Sequence, residues 1–269
     1  MRTFLGCCGS IIALAIATPA IAQDTTASAA TGEKPVAAAE PAAPTSAFTI
    51  NSTAAVVSDY RFRGLSQTDK DFALQGSLTV THASGAYLSV WGSSIDDYVA
   101  AGGDQELDLI AGFKKTFGGT TVDVGALYYY YPGSSKFIAN YNSDFLEPYL
   151  AISHTLGPVT AKVTANYAPK QKALAFIHTK DDNLYTALDL SATVVGFGVS
   201  GHLGHNWERS FLSAGRKYTD WGVGVSYTWK ALTLGVNYVD TNLPKYFFVS
   251  TTGKDVAKGG VVASIGVSF

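Results

Sequence analysis

Two of the five histidines lie close enough to a serine to suggest nucleophilic chemistry. His82 and Ser84 are two residues apart, while His205 is followed by Asn206 and, a few residues later, by Ser210. A serine activated by a neighbouring histidine is the usual nucleophile of a hydrolase. However, His82 and Ser84 fall in a tight turn between two predicted strands, and Ser210 falls in a loop away from His205. We therefore expect neither pair to be catalytic.

The remaining metal-ligating residues are dispersed along the chain. His202 lies within a predicted strand and His178 in a loop, and the two cysteines, Cys7 and Cys8, are confined to the N-terminus. A transition-metal site needs several such ligands close together. The glycine pairs at 118–119 and 259–260 read as turn and strand-end residues rather than phosphate cradles. The sequence therefore predicts no catalytic, metal or cofactor-binding residue and no cofactor.

Ten charged residues recur at alternate positions within otherwise uncharged stretches, so they could line a water-filled interior. Six are acids and four are bases, so their net charge is −2, which predicts a weak preference for cations. The alternative is that they pair across strands and fill the interior. The ten residues are Asp59, Arg61, Arg63, Glu106, Asp108, Lys114, Asp123, Glu147, Lys162 and Asp189, and His202 is expected to join them as a polar lining residue.

The composition restricts the kind of protein that can position these residues. The chain has 269 residues and a formal charge of −2, with 15% charged residues, against about 25% in soluble domains. Aromatic residues reach 12%, which excludes a disordered chain. The 19 basic residues do not outnumber the 21 acidic ones, so no nucleic-acid partner is expected.

The N-terminus predicts export. Residues 1–22 have a positive start at Arg2, an apolar stretch over 11–17 and a small-x-small site at 20–22, so we expect cleavage between Ala22 and Gln23. Pro19 interrupts the apolar stretch, which is too short for a membrane helix. Residues 23–46 are rich in alanine and proline and predict a disordered periplasmic linker. The remaining domain spans 47–269.

From Phe48 onward, apolar residues alternate with polar or small ones, a pattern typical of β-strands. Residues 221–229 (WGVGVSYTW) show it most clearly. Twelve such segments are predicted, at 49–63, 72–82, 86–95, 105–116, 120–131, 144–155, 159–168, 183–193, 197–207, 221–229, 232–240 and 258–269. Pro148 is expected to cause a bulge or an early strand end, and Tyr129 and Tyr131 are expected to face inward.

The connections between these segments alternate between tight turns and longer polar loops. This alternation is typical of outer-membrane barrels, whose periplasmic turns are short and whose external loops are long. An even strand count places both ends of the domain on the short-turn side. The fold predicted is all-β, an antiparallel up-and-down transmembrane β-barrel of about 12 strands.

The apolar parity of the strands supports a membrane-facing wall. It carries no charge until the strand ends, whereas a charge at the bilayer midplane would cost about 2–4 kcal/mol. Aromatic residues of this parity fall near both strand ends and predict two interfacial girdles. These residues are Phe62, Phe72, Tyr130, Tyr167, Trp221 and Tyr238 at the long-loop end, and Phe113, Phe197, Trp229 and Phe269 at the short-turn end.

The chain ends in Phe269, preceded by Val267 and Ile265 at alternate positions. This ending resembles the assembly signal of bacterial outer-membrane barrels and predicts the barrel assembly machinery as a partner.

Several stretches resemble the TorF family of porins of Gram-negative outer membranes, most densely over residues 55–155. They are 58–69 (SDYRFRGLSQTD), 74–97 (LQGSLTVTHASGAYLSVWGSSIDD), 106–113 (ELDLIAGF), 123–133 (DVGALYYYYPG) and 140–153 (NYNSDFLEPYLAIS). The resemblance implies an outer-membrane β-barrel with a pore-like role and brings no catalytic residues.

We therefore expect an outer-membrane channel for passive diffusion of small polar solutes or ions. Its partners would be outer-membrane lipid, the assembly machinery and the solute. Two alternatives remain open at this point. One is a barrel enzyme acting on lipids, for which His205 at the external rim would be the candidate, although an interfacial role suits it better. The other is a non-conducting barrel whose external loops bind a partner.

Overall fold

The computed structural model describes residues 46–136 and 142–269. Twelve long antiparallel strands form one closed barrel, and two very short strands form a separate hairpin. In chain order the strands are β1 (Phe48–Val57), β2 (Arg61–Phe62), β3 (Leu65–Ser66), β4 (Ala73–His82), β5 (Ala86–Ser94), β6 (Gln105–Phe117), β7 (Thr120–Tyr130), β8 (Phe145–Leu156), β9 (Val159–Gln171), β10 (Asp181–Val194), β11 (Phe197–Asn206), β12 (Tyr218–Trp229), β13 (Leu232–Thr241) and β14 (Gly260–Ser268). Two 3-10 turns, Lys172–Leu174 and Phe211–Ser213, lie in the loops.

Each barrel strand pairs with its neighbours along the chain, and β1 closes the ring by pairing with β14. The predicted fold class is confirmed. Among the described residues, no helix is long and apolar enough to cross a membrane. The predicted signal segment, its cleavage site at Ala22 and Gln23, and nearly all of the linker lie outside the described residues.

The alternation seen in the sequence separates the two faces of the wall. Large apolar side chains point outward, as Leu88, Val163 and Val223 do with 56–66% of their surface exposed. Inward positions carry small or hydroxyl side chains that bond across strands, as Thr53 does to Ser77 at 2.7 Å. An apolar exterior of this kind is favourable only in lipid, which is the property of an outer-membrane barrel.

Five connections are tight turns at one end of the barrel, the short-turn end. The other six connections are longer and meet at the opposite, long-loop end. Both described ends of the chain lie at the short-turn end, since Ala47 bonds to the turn at Ala83 and Phe269 bonds to Ser52 near the start of β1. This arrangement matches the predicted alternation.

The first loop differs most from the prediction. Strand β1 ends at Val57, not at residue 63, and residues 58–70 turn inward as a segment we call the plug. Strands β2 and β3 pair within it around a two-residue turn, Arg63–Gly64, in which both residues have positive φ. That geometry is typical of a tight hairpin turn. Asp59, Arg61 and Arg63 are therefore plug residues and not, as predicted, lumen-facing residues of the first strand.

Gly64 is required at the hairpin tip for two reasons. Its φ of +85° is unfavourable for any other residue, and a Cβ atom there would collide with the side chains of Thr241 and Asp220. The tip thus touches the wall formed by β12 and β13, which lie three and two strands from β1 around the ring.

Strand β8 continues through Pro148, so the predicted early strand end is wrong, although the pairing with β9 is interrupted at this residue. Proline lacks the N–H that a central strand position needs, and the β8–β9 pairing begins only at Tyr149. At Leu146 the side chain of Gln171 takes the place of backbone pairing with β9. Its amide oxygen accepts from the Leu146 N–H, and its amide nitrogen donates to the Leu146 carbonyl.

Candidate functional site: the plugged lumen

The plug crosses the lumen and is almost wholly enclosed. Residues 59–69 are all buried, and Phe62, Ser66 and Gln67 have no exposed surface. Its contacts reach β8, which is five strands from β1 in the ring of twelve and nearly opposite to it. The long-loop half of the barrel is therefore filled rather than open.

Arg63 is the plug residue with the most contacts to the barrel wall. Its Nη2 donates to Glu147 Oε1 at 2.6 Å and its Nη1 to Asn206 Oδ1 at 3.4 Å. Its guanidinium also lies 4.2 Å from the centre of the Tyr185 ring. The side chains of the ion pair are only 4% and 0% exposed. Burial alone lowers the pKa of Arg63, but Glu147 more than reverses this and holds it above the usual value.

Glu147 is fixed in place by the strands on either side of it. The Tyr129 hydroxyl on β7 and the Asn166 amide on β9 both donate to Glu147 Oε2, at 3.0 and 3.2 Å. The carboxylate therefore offers its other oxygen to the guanidinium in a fixed direction. We call Glu147, Tyr185 and Asn206 the arginine cage.

Arg61 holds the plug together and joins it to the last loop. It pairs with Asp59 at 2.6 Å and donates to the carbonyls of Gly64 and Lys258, each at 3.0 Å. Burial raises the pKa of Asp59, while Arg61 and the Ser66 hydroxyl act in the opposite direction. The hairpin is thus internally braced and not a loosely packed loop.

The long loops close over the plug with an apolar cluster. One residue from each of several loops is fully or almost fully buried there, and the loop residues pack against Leu65 of the plug. These loop residues are Val99, Leu174, Leu212 and Val256, with exposures of 0%. Hydrophobic burial therefore seals the long-loop end.

Glu106 and Asp108 lie beneath this seal on the inner face of β6. Both are fully buried, and no cationic side chain of a described residue pairs with either. In the described, plugged structure neither residue is accessible to a solute.

The other half of the lumen, at the short-turn end, contains solvent-accessible charges; we call it the vestibule. Lys114 pairs with Asp123 at 3.2 Å and Lys162 with Asp189 at 3.4 Å, each across adjacent strands. The lysine side chains are 56% and 41% exposed. The tyrosine hydroxyls of residues 87 and 149 also bond to Asp123.

His202 lies between the vestibule and the plug. Its two ring nitrogens contact Asp189 at 2.7 Å and Asp220 at 2.9 Å, and Tyr185 bonds to the same Asp220. Sequence reasoning missed Asp220 because it placed the start of that strand at residue 221. The alternation itself could have found it, since Asp220 shares parity with the inward-facing Gly222 and Gly224.

The predicted girdle residues face outward with one exception. Phe62 is a correction, because it has no exposed surface and packs inside the plug, where its ring lies 4.7 Å from the Arg63 guanidinium. The others are 36–76% exposed; they are Phe72, Phe113, Tyr130, Tyr167, Phe197, Trp221, Trp229, Tyr238 and Phe269. Ile265 and Val267 lie on β14, with Ile265 facing outward.

The candidate nucleophile pairs are not arranged for catalysis. His82 Nδ1 and Ser84 Oγ are 2.8 Å apart in an exposed turn, and no carboxylate of a described residue orients the histidine. His205 contacts Thr219, while Ser210 is buried and bonds to Asn183. Within the described ranges, no group of three or more His, Cys, Asp or Glu residues could hold a metal ion.

Comparison with known proteins supports the fold and names a family. Residues 41–269 match the model of a family described as a bacterial protein of unknown function, Gcw_chp. A comparison with curated protein sequences found no match.

Among solved structures, the chain is similar to a KdgM porin at 12% identity, with a TM-score of 0.50 and 82% and 97% of the two chains covered. For a KdgM porin in complex with disordered oligogalacturonate, the identity is 11%, the TM-score is 0.51 and the coverage of the two chains is the same. For the outer membrane phospholipase A from Escherichia coli, the identity is 14%, the TM-score is 0.48, and 82% and 92% of the two chains are covered. Similarities at these identities concern the fold.

Proposed function

We propose, on the premise that the chain belongs to the Gcw_chp family of bacterial proteins of unknown function, that it is an outer-membrane channel for small polar solutes. The observation that carries this proposal is the division of the lumen. One half is a polar vestibule with accessible charges, and the other is closed by a segment of the chain itself and not by the barrel wall. In this proposal the described structure is the closed state.

Opening requires that the plug leave the long-loop half and that the apolar loop cluster over it separate. The barrel wall is a continuous ring of strands without the plug, so its withdrawal need not disturb the wall. Barrels of eight strands are filled by side chains and those of 16–18 strands leave an aqueous channel. A ring of twelve would then leave a narrow passage lined by hydroxyls and charges.

The ion preference of the channel depends on the plug. In the vestibule the two accessible carboxylates are balanced by two lysines. In the closed half, Arg61 and Arg63 belong to the plug, whereas Glu106, Asp108 and Glu147 belong to the wall. Withdrawal would remove Arg63 from Glu147, while Arg61 would leave together with its partner Asp59. The wall acids would then be left without a plug cation, so the weak cation preference is proposed for the open state.

The channel proposal extends to the family resemblance, to enzymatic activity and to the partners of the protein. The resemblance to TorF-family porins agrees with a channel role, and we propose that the protein is not an enzyme because neither candidate serine lies beside an oriented histidine. Outer-membrane lipid, the barrel assembly machinery and a small polar solute are the proposed partners.

Planar-bilayer conductance of a matched glycine pair tests the channel. Gly64→Ala would prevent the hairpin tip from docking, whereas Gly196→Ala has nearly the same φ, +82°, but its Cβ meets open space in a short turn. We expect brief, rare openings from the wild type and from Gly196→Ala, and frequent openings from Gly64→Ala. Silence from a folded Gly64→Ala barrel in repeated reconstitutions would overturn the channel.

A further inference from the structure

The arginine cage belongs to the barrel wall. Its three residues come from β8, β10 and β11. Among the described ring contacts, the ring of Phe62 is the one that the plug itself supplies to the Arg63 guanidinium. The cage therefore remains when the plug withdraws.

We propose that this cage is a binding site for small solutes carrying a guanidinium group, and that Arg63 occupies it as a tethered competitor. The inference rests on the proposed channel function, since a solute reaches the cage only through the lumen. It names the class of solute that the channel would favour, namely small guanidinium compounds.

The chemistry of the cage fits a planar cation. A carboxylate at 2.6 Å supplies the charge-assisted hydrogen bond and an amide oxygen at 3.4 Å supplies a second acceptor. The tyrosine ring supplies a flat face over which a guanidinium can stack. All three groups are at least nine-tenths buried, which strengthens their attraction for a cation once water is excluded.

The cage is also held in shape before any solute arrives. Tyr129 and Asn166 orient Glu147 from the neighbouring strands, and the amide of Asn183 bonds to the Asn206 oxygen at 3.3 Å. These partners lie on the wall, so they persist in the open state. Preorganisation of this kind reduces the entropic cost of binding.

The surrounding wall favours a cation over an anion. With the plug withdrawn, Glu106 and Asp108 on β6 and Asp220 on β12 face the same interior, and His202 is the basic side chain beside Asp220. Carboxylates lining a low-dielectric passage attract cations and repel anions. A free cation would then compete with Arg63 and favour the open state, because it binds the open state alone.

Arginine and citrulline provide the test, because citrulline replaces the guanidinium with a neutral urea of similar shape. The readout is block of ion current through single barrels in a planar bilayer. We expect Arg63→Ala, which lacks the competitor, to be blocked at lower arginine concentration than the wild type and to be unaffected by citrulline. Adding Glu147→Gln to Arg63→Ala should raise the half-blocking arginine concentration by about thirtyfold.

Arg216→Ala is the matched arginine control, since Arg216 is exposed in a loop and stacks on Phe247 at 5.0 Å. It should behave as the wild type. If Arg63→Ala conducts but arginine and citrulline act alike, the cage is overturned and the channel stands.

If no folded variant conducts, the channel itself fails. Calorimetric titration of arginine into the folded, detergent-solubilised Arg63→Ala barrel then decides the cage separately. Binding that Glu147→Gln abolishes supports the site, and absence of heat overturns it.

Discussion

Replacing Glu147 by glutamine should release the plug while leaving the barrel wall intact. The change keeps the size of the side chain and an acceptor for the Tyr129 hydroxyl, but removes the charge that faces Arg63. In the closed state the arginine would be left as a buried cation without an anion. In the open state it would regain water, so the substitution penalises the closed state alone.

The size of the effect follows from the burial of the pair. Both side chains are at most 4% exposed, and breaking such a pair by removing one partner costs about 3–5 kcal/mol. Asn206 and the Tyr185 ring still contact the guanidinium, which favours the lower value. About 3 kcal/mol corresponds to roughly a hundredfold change in the ratio of open to closed barrels.

Asp123→Asn is the matched control. It also neutralises a lumen carboxylate, but its partner Lys114 is 56% exposed, and such pairs contribute about 0–1 kcal/mol. Single-channel recording should give a large rise in open fraction for Glu147→Gln and no more than about a fivefold change for Asp123→Asn. A folded Glu147→Gln barrel with the open fraction of the wild type would refute the reasoning.

Three further predictions concern charge, assembly and pH. In the open glutamine variant, adding Glu106→Gln and Asp108→Asn should shift the reversal potential toward lower cation preference, because the plug that buries both acids in the closed state has withdrawn; an unchanged reversal potential would contradict their place in the open lumen. Deleting Phe269, which is 76% exposed and bonds through its backbone to β1, should reduce the fraction of heat-modifiable, folded barrel; normal insertion would contradict the assembly signal. Burial, together with Asp97 and Asp69 nearby, raises the pKa of Asp96 in the β5–β6 loop to about 6 from 3.8, so the folded loop takes up a proton that the unfolded loop does not. Protection of this loop from proteolysis should therefore increase as pH falls from about 6 to 4, and Asp97→Asn should flatten that dependence.

The wall of the barrel could be predicted because its information is local. Alternation fixes which face of a strand is apolar, and it assigned Trp221 and Trp229 to the outside and Asp108 and Glu147 to the inside. Turn residues such as Gly196 fixed the short connections.

The plug could not be predicted in the same way. Tyr60 and Phe62 alternate with charged residues and so resemble a strand, and the pattern alone does not say that this strand has left the sheet. Gly64 was the available signal, since an isolated glycine in a strand-like pattern indicates a bulge or a close approach of the backbone to another element. The pattern gives no information about the wall strands that the segment contacts, because the residues that accept hydrogen bonds from Arg63 lie far along the chain.

Those distances along the chain have a consequence for the order of assembly. The plug bonds to partners 84, 155 and 195 residues away, in Glu147, Tyr218 and Val256. Contacts of such separation form late, because the intervening chain must first be organised. The hairpin follows directly on β1, whose pairing with β14 closes the ring. The barrel must therefore reach its last strand before the β2–β3 hairpin of the plug can dock, and a newly inserted molecule passes through an unplugged stage before it first closes.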